Sequence, residues 1–501
     1  MNERPTVSRL ARVGSLRRVA MVVFVVAGLA GIVVLDRRPL DPIESTIDVR
    51  SATPEFRVDA KASTWFCPGV PANDESIRGQ LVISNAGESP VGGTITRFAL
   101  DGIARRERFA IPARSVIEVD AATGIESSFV SALVESQGAS IVVEQRTVHR
   151  AGDAVVACAS SPSDTWYLAD GFTGSDSIEQ VVVTNPSLDS AILDVSFVTA
   201  LGERSPQSLK GVVIPPESLR VFDMAALDAR NEATVAVSVR ATVGRVVVGR
   251  SQHYLGRGRL GYTMALGASS ASTRWYFADG EKVEGTSEEF VIFNPLSNDQ
   301  LLTFIVAGDD GVPLDPLTVT APARRVTKFA PAGLGALGNG RYSTVVTASA
   351  LSGAASAGVV VERVTTRQIA NSTASAVLLG APSPVRRWIA PSGTAVDAPD
   401  SLRIFNPGSV PSLIRVSYLG PAGDVPIPGY EEVSLAPGGG TSIGISGAAA
   451  SATVSVTSTE PIVVQRRVSR GAQQSILGVA PLVVVATSET GCTDDAECVN
   501  E

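Results

Sequence analysis

His149 and His253 are the only imidazoles in the chain, so acid–base chemistry near neutral pH would fall first to them. Each lies three residues after an arginine, Arg146 or Arg250, that ends a valine-rich run. Two later runs end in Arg363 and Arg466, and there the third residue on is Thr366 or Ser469. A position that changes between His, Thr and Ser among equivalent segments is expected to be an exposed strand site rather than a general base. Asp170 and Asp279 share an Ala-Asp-Gly phrase. Hydrolysis by paired carboxylates needs two acids flanking one bond, so these two would have to meet from different parts of the chain. No Gly-rich phosphate loop, EF-hand loop or Gly-x-Ser-x-Gly nucleophile elbow is read. The expectation is a protein that is not an enzyme, with no catalytic, cofactor or metal residues.

The elements that would position these groups recur. Trp65, Trp166, Trp275 and Trp388, the only tryptophans, stand 101, 109 and 113 residues apart. Each opens a similar phrase: Trp65-Phe-Cys-Pro-Gly, Trp166-Tyr-Leu-Ala-Asp-Gly, Trp275-Tyr-Phe-Ala-Asp-Gly and Trp388-Ile-Ala-Pro-Ser-Gly. Behind each follow an asparagine (Asn85, Asn185, Asn294, Asn406), a turn glycine (Gly102, Gly202, Gly311, Gly423), a proline (Pro112, Pro215, Pro322, Pro437) and the landmark arginine (Arg146, Arg250, Arg363, Arg466). A fixed order at a fixed period is the mark of a repeat array. Asn followed by Pro, as in the last three copies, ends a strand and starts a turn. Each Trp is expected as a buried anchor, in its repeat or at the joint with a neighbour; a sugar-stacking platform is the rival reading.

Inside a repeat, short β-branched runs such as Phe290-Val-Ile-Phe293 and Leu301-Leu-Thr-Phe-Ile-Val306 alternate with Gly, Pro, Asn and Asp, without helical periodicity between them. This predicts an all-β chain: a tandem array of four immunoglobulin-like β-sandwich units. The expected divisions are repeat 1 at 61–163, repeat 2 at 164–272, repeat 3 at 273–385 and repeat 4 at 386–484, with an acidic tail at 485–501. Short connections should fix neighbouring units against each other. Cys67 near the start of repeat 1 and Cys158 near its end would meet in a sandwich and form a disulfide in an oxidising compartment. Cys492 and Cys498 could close a small second loop; with Asp494 and Asp495 they match no common zinc spacing.

Val19 to Leu35 is an unbroken apolar run of 17 residues, the lower limit for a membrane helix, and Arg9, Arg12, Arg17 and Arg18 precede it. The expected topology is a cytoplasmic segment 1–18, a single uncleaved signal anchor 19–35, a stalk 36–60 and the rest outside the cell membrane. A net charge of −8 and only four lysines leave no basic stripe for nucleic acid.

The Trp-Tyr-(Phe/Leu)-Ala-Asp-Gly opening, the Asn-Pro, the run ending in Arg and the closing Leu-Gly of later copies resemble an uncharacterised, membrane-anchored family of exported actinobacterial proteins, a domain of unknown function. The resemblance implies location and architecture, and no activity comes with it. The resulting expectation is a non-catalytic cell-envelope scaffold binding unidentified envelope proteins or glycans, the alternative being a glycan-active envelope enzyme or its accessory subunit.

Overall fold

The computed structural model describes residues 56–57 and 62–483, apart from 139, 257, 352–357, 370–371, 392–399, 471–472 and 479. The run at 19–35 and the pair Cys492 and Cys498 lie outside these residues. No described helix is long and apolar enough to cross a membrane. The described chain is all-β, interrupted only by 3-10 turns of at most five residues.

The period of two in the sequence becomes sheets that face each other in pairs. In the first repeat Ser63–Pro71, Phe129–Ser136, Val91–Ala99 and Gly102–Ile111 form one antiparallel sheet. Ser115–Asp120, Ile77–Asn85, Ile141–His149 and Gly152–Ala157 form the other. Trp65, Leu81, Ile83, Ile95, Val134 and Val143 from both sheets fill the space between them. Along the edge strand Gly102–Ile111 the exposed positions include Arg105, Arg106 and Arg108, charges that discourage pairing with another edge.

Numbered in chain order within the repeat, the two sheets run 1-6-3-4 and 5-2-7-8, and the three later repeats keep that order when the fourth strand, broken into Gly202–Arg204 and Val212–Ile214 in repeat 2 and into Gly423–Pro426 and Val433–Leu435 in repeat 4, is counted as one. In the fourth, one 17-residue strand, Val454–Arg470, serves as sixth strand of one sheet and seventh of the other. This is not the immunoglobulin order, in which one sheet runs A-B-E-D and so pairs the first strand with the second. Here the first strand pairs with the sixth. Turn spacing predicts strands, about seven to a unit where the structure has at least eight, and partner choice is long-range and leaves no local signal.

The repeats do not form an open row. The eighth strands, Gly152–Ala157, Arg259–Leu266, Ser372–Leu379 and Gln473–Gly478, lie against one another in a cycle: first on second, second on third, third on fourth, fourth on first. The residue before each landmark asparagine meets the preceding repeat. Thr184 Oγ1 is 2.8 Å from Ser131 Oγ, the Phe293 ring is 6.1 Å from that of Tyr167, and Phe405 packs with Tyr276 and Ala278. Ser84, in the first repeat, hydrogen-bonds Thr453 of the fourth. The joint between last and first thus uses the same position as the other three, and the array closes on itself.

Candidate functional site: buried charges at the joints

All four landmark asparagines are fully buried, and each does the same work. Asn294 accepts the Leu296 N–H at 3.0 Å on Oδ1 and donates through Nδ2 to the carbonyls of Asn298, Ala321 and Pro322 at 2.9–3.1 Å. Asn85 and Asn185 make the matching bonds to Pro112 and Pro215. In the fourth repeat Asn406 takes the carbonyl of Ala436, so Pro437 lies one residue beyond the equivalent position. Asparagine and proline landmarks therefore mark the two ends of one clamp between the second strand and the turn before the fifth.

The tryptophans are core residues, none more than 2% exposed, which removes the sugar-platform reading. Trp166, Trp275 and Trp388 donate their indole N–H to the carbonyls of Val246, Val359 and Ile462 at 2.8–3.0 Å. The closing Leu-Gly follows from the same packing. A Cβ on Gly380 would come within 2.7 Å of Phe277 and 3.1 Å of the Trp275 indole, and one on Gly267 within 3.2 Å of Trp166. Phe277 stands two residues after its Trp, as Cys67 does in the first repeat, and Ala381 bridges Tyr276 as Ala159 bridges Phe66. Cys158, one residue before Ala159, thus takes the place of that glycine. The disulfide Cys67–Cys158, with Cα atoms 4.3 Å apart, occupies the contact that glycine and an apolar side chain make elsewhere.

The Ala-Asp-Gly phrases sit at joints between repeats, buried. At the second–third joint Glu362 of repeat 3 accepts the N–H groups of Ala169 and Asp170 at 3.1 and 2.6 Å and binds Arg250 at 3.1 Å. The Asp170 carboxylate is held by Arg259 at 3.2 Å. Glu179, fully buried with neither carboxylate oxygen hydrogen-bonded, lies over Gly171, where a Cβ would stand 2.1 Å from its Oε1. Burial pushes Glu179 well above the usual carboxylate range; Arg250 opposes this, and Asp170, Glu362 and Asp223 add to it. Burial also raises Glu362 against the pull of Arg250.

At the third–fourth joint a neutral side chain replaces Glu362: Gln465 accepts the N–H groups of Ala278 and Asp279 at 2.9 and 3.0 Å. Asp279 binds Arg467 of repeat 4 at 2.8 Å and Arg341 at 2.6 Å. Burial acts to raise Asp279, but those two arginines outweigh it and hold the carboxyl below its usual value. Arg466 crosses the closing joint to Glu144 of repeat 1 at 2.7 Å, and burial pushes Glu144 up to about 7 against that arginine's pull. Arg146 and Arg363 stay within their own repeats, on Asp153 and Glu288.

Asp170 and Asp279 therefore each end in a separate buried ion-pair cluster and line no common cleft. The histidines depart from the expected exposed strand sites: His149 is buried, His253 half-buried, and their rings stand 5.7 Å apart across the first–second joint. Equivalent positions on neighbouring repeats converge because the repeats turn about a shared centre, which no single repeat reveals. Gly440-Thr-Ser-Ile-Gly444 carries the letters of a nucleophile elbow, missed in the sequence reading, but it lies within the strand Gly440–Ile445 and not at a strand-to-helix turn. An open cleft of about 540 Å³ in repeat 2 is lined by Asp176, Asp223, Arg230 and Asn231 among others. Among the described residues no group of three or more His, Cys, Asp or Glu side chains is placed to hold a metal.

The class is thus an all-β protein of paired sheets whose repeat landmarks build its interior. The family of unknown function DUF5719 matches residues 120–379 and 365–493, and the chain belongs to that family. No curated protein matches it. Among solved structures it is similar to one titled "Crystal Structure of Thermotoga maritima 1070", at 16% identity over 22% of this chain and 95% of that one, with a TM-score of 0.20.

Proposed function

We propose that the chain is a non-catalytic scaffold of the cell envelope, four tandem β-sandwich modules carried outside the membrane by an anchor at 19–35. Its partners on this reading are envelope proteins or glycans met at the outer surface. The observation that supports it best is the fate of the chemistry-bearing groups: Asp170, Asp279 and the landmark arginines are buried and ion-paired at joints or within repeats. A carboxylate buried and held by arginine is closed to substrate, and removing either partner would leave an uncompensated buried charge. The test uses the full chain in its native membrane. The scaffold reading expects reproducible co-isolation of envelope protein or glycan after crosslinking, and no change in glycan turnover by the variant Asp279→Asn. Loss of envelope-glycan cleavage in a folded Asp279→Asn protein would establish the enzyme alternative instead.

A further inference from the structure

The only two imidazoles in the protein come from equivalent positions of repeats 1 and 2, yet they meet, with ring centroids 5.7 Å apart. His149 ends the strand Ile141–His149, and its Nδ1 accepts the backbone N–H of Ala151 at 3.2 Å across the hairpin tip. A nitrogen that accepts that bond carries no proton, so the hydrogen bond holds the neutral ring with its proton on Nε2. Histidines that ligate metals usually donate from their second nitrogen, the opposite arrangement, which argues against a metal here. His253 lies on the strand Val247–Gly256, and Tyr262 of the next strand sets its ring edge-on to it at 5.1 Å.

The surrounding charges come from two repeats. From the same hairpin come Arg150 and Asp153. From repeat 4 comes Arg470, which donates to the His149 carbonyl at 2.7 Å and binds Asp153. Asp74, in the turn before the strand Ile77–Asn85, is the carboxylate whose charge acts on both rings. Tyr262 is neutral and hydrogen-bonded to Ser251.

We infer that His149 and His253 form an acid-sensitive catch: neutral, they pack repeat 1 between repeats 4 and 2, and protonation drives the hairpin at 149–152 out of the joint. A proton on His149 Nδ1 breaks the bond from Ala151, and a second proton sets two cations side by side in a half-buried place with Arg150 and Arg470 near. Burial first, and then His253 and Arg150, hold His149 below its ordinary value of 6.5; burial also lowers His253 against the pull of Asp74. A group lowered in the folded state takes up protons more readily when unfolded, so stability is present above 6.5 and is lost as pH falls from there through the folded midpoints.

With only two imidazoles, NMR of the full chain in detergent, labelled at histidine, resolves both titrations. The expected result is two midpoints below 6.5, with His253 moving upward in His149→Gln. Amide protection of residues 149–157 and 259–266, corrected for intrinsic exchange, should fall between pH 7 and 5 in the wild type and stay level in His149→Gln/His253→Gln. Should His149→Gln fail to fold, His253→Gln read at His149 gives the same answer. An unmoved partner midpoint, or an equal acid loss of protection in the double variant, overturns the catch.

Discussion

The side chain that specifies most here is the buried asparagine. Three hydrogen bonds donated and one accepted by a single buried amide join strand end, turn and clamp, and of its partners the Ala321 carbonyl is buried with it. Leaving a buried group unsatisfied costs about 1–3 kcal/mol, so Asn294→Ala should lose about that much in chemical denaturation of its repeat. A loss below about 1 kcal/mol would show that the clamp is incidental. The sequence shows that Asn and Pro recur, and Asx-turn chemistry explains the strand end. That the amide nitrogen reaches on to a carbonyl 28 residues later is a tertiary fact. The disulfide was more legible, because two ends of a sandwich come together. It closes a loop of 91 residues, worth about 4–5 kcal/mol in the chain-entropy view. The histidines were misjudged because their neighbours belong to other repeats.

Among the elements, the first strand of each repeat carries the most weight. It holds the Trp in the core, returns one residue later to the Ala that follows the eighth strand in the first three repeats, and in repeats 2 and 3 leads into the phrase that docks at the joint. Trp275→Ala should therefore cost about 3–5 kcal/mol, as for truncation of other buried large aromatics, measured by thermal or denaturant unfolding. Retention on peptidoglycan or other envelope glycan should not change in protein that remains folded. A stable variant that loses glycan retention would place the indole at a ligand, against its burial. The strands themselves were readable from period-two runs between Gly, Pro and Asn. Their order was not: Trp65 pairs opposite Val134, about 70 residues away, and nothing local marks that choice against a neighbouring hairpin.

For the whole molecule the central claim is closure. A linear array has two free ends, and each joint then depends only on adjacent repeats. Here repeat 4 meets repeat 1 through Ser84 and Thr453, Arg466 and Glu144, Arg470 and Asp153, and the apolar pair Val155 and Val468. Such closure could not be read from the repeats, since the same short connections suit a row or a ring; the angle between neighbours decides, and it is set by joint side chains. Arg114 of repeat 1 offers the most direct check, because it binds exposed Glu88 of its own repeat at 2.7 Å and exposed Asp424 of repeat 4 at 2.5 Å. Spin labels on Glu88→Cys and Asp424→Cys, with Cys492 and Cys498 replaced by serine, report the distance between repeats 1 and 4 by pulsed electron resonance. Closure predicts a narrow distribution on the order of 20 Å, whereas a row of ~100-residue units, each with a radius of gyration of about 13 Å, would put the labels beyond roughly 60 Å and contradict it.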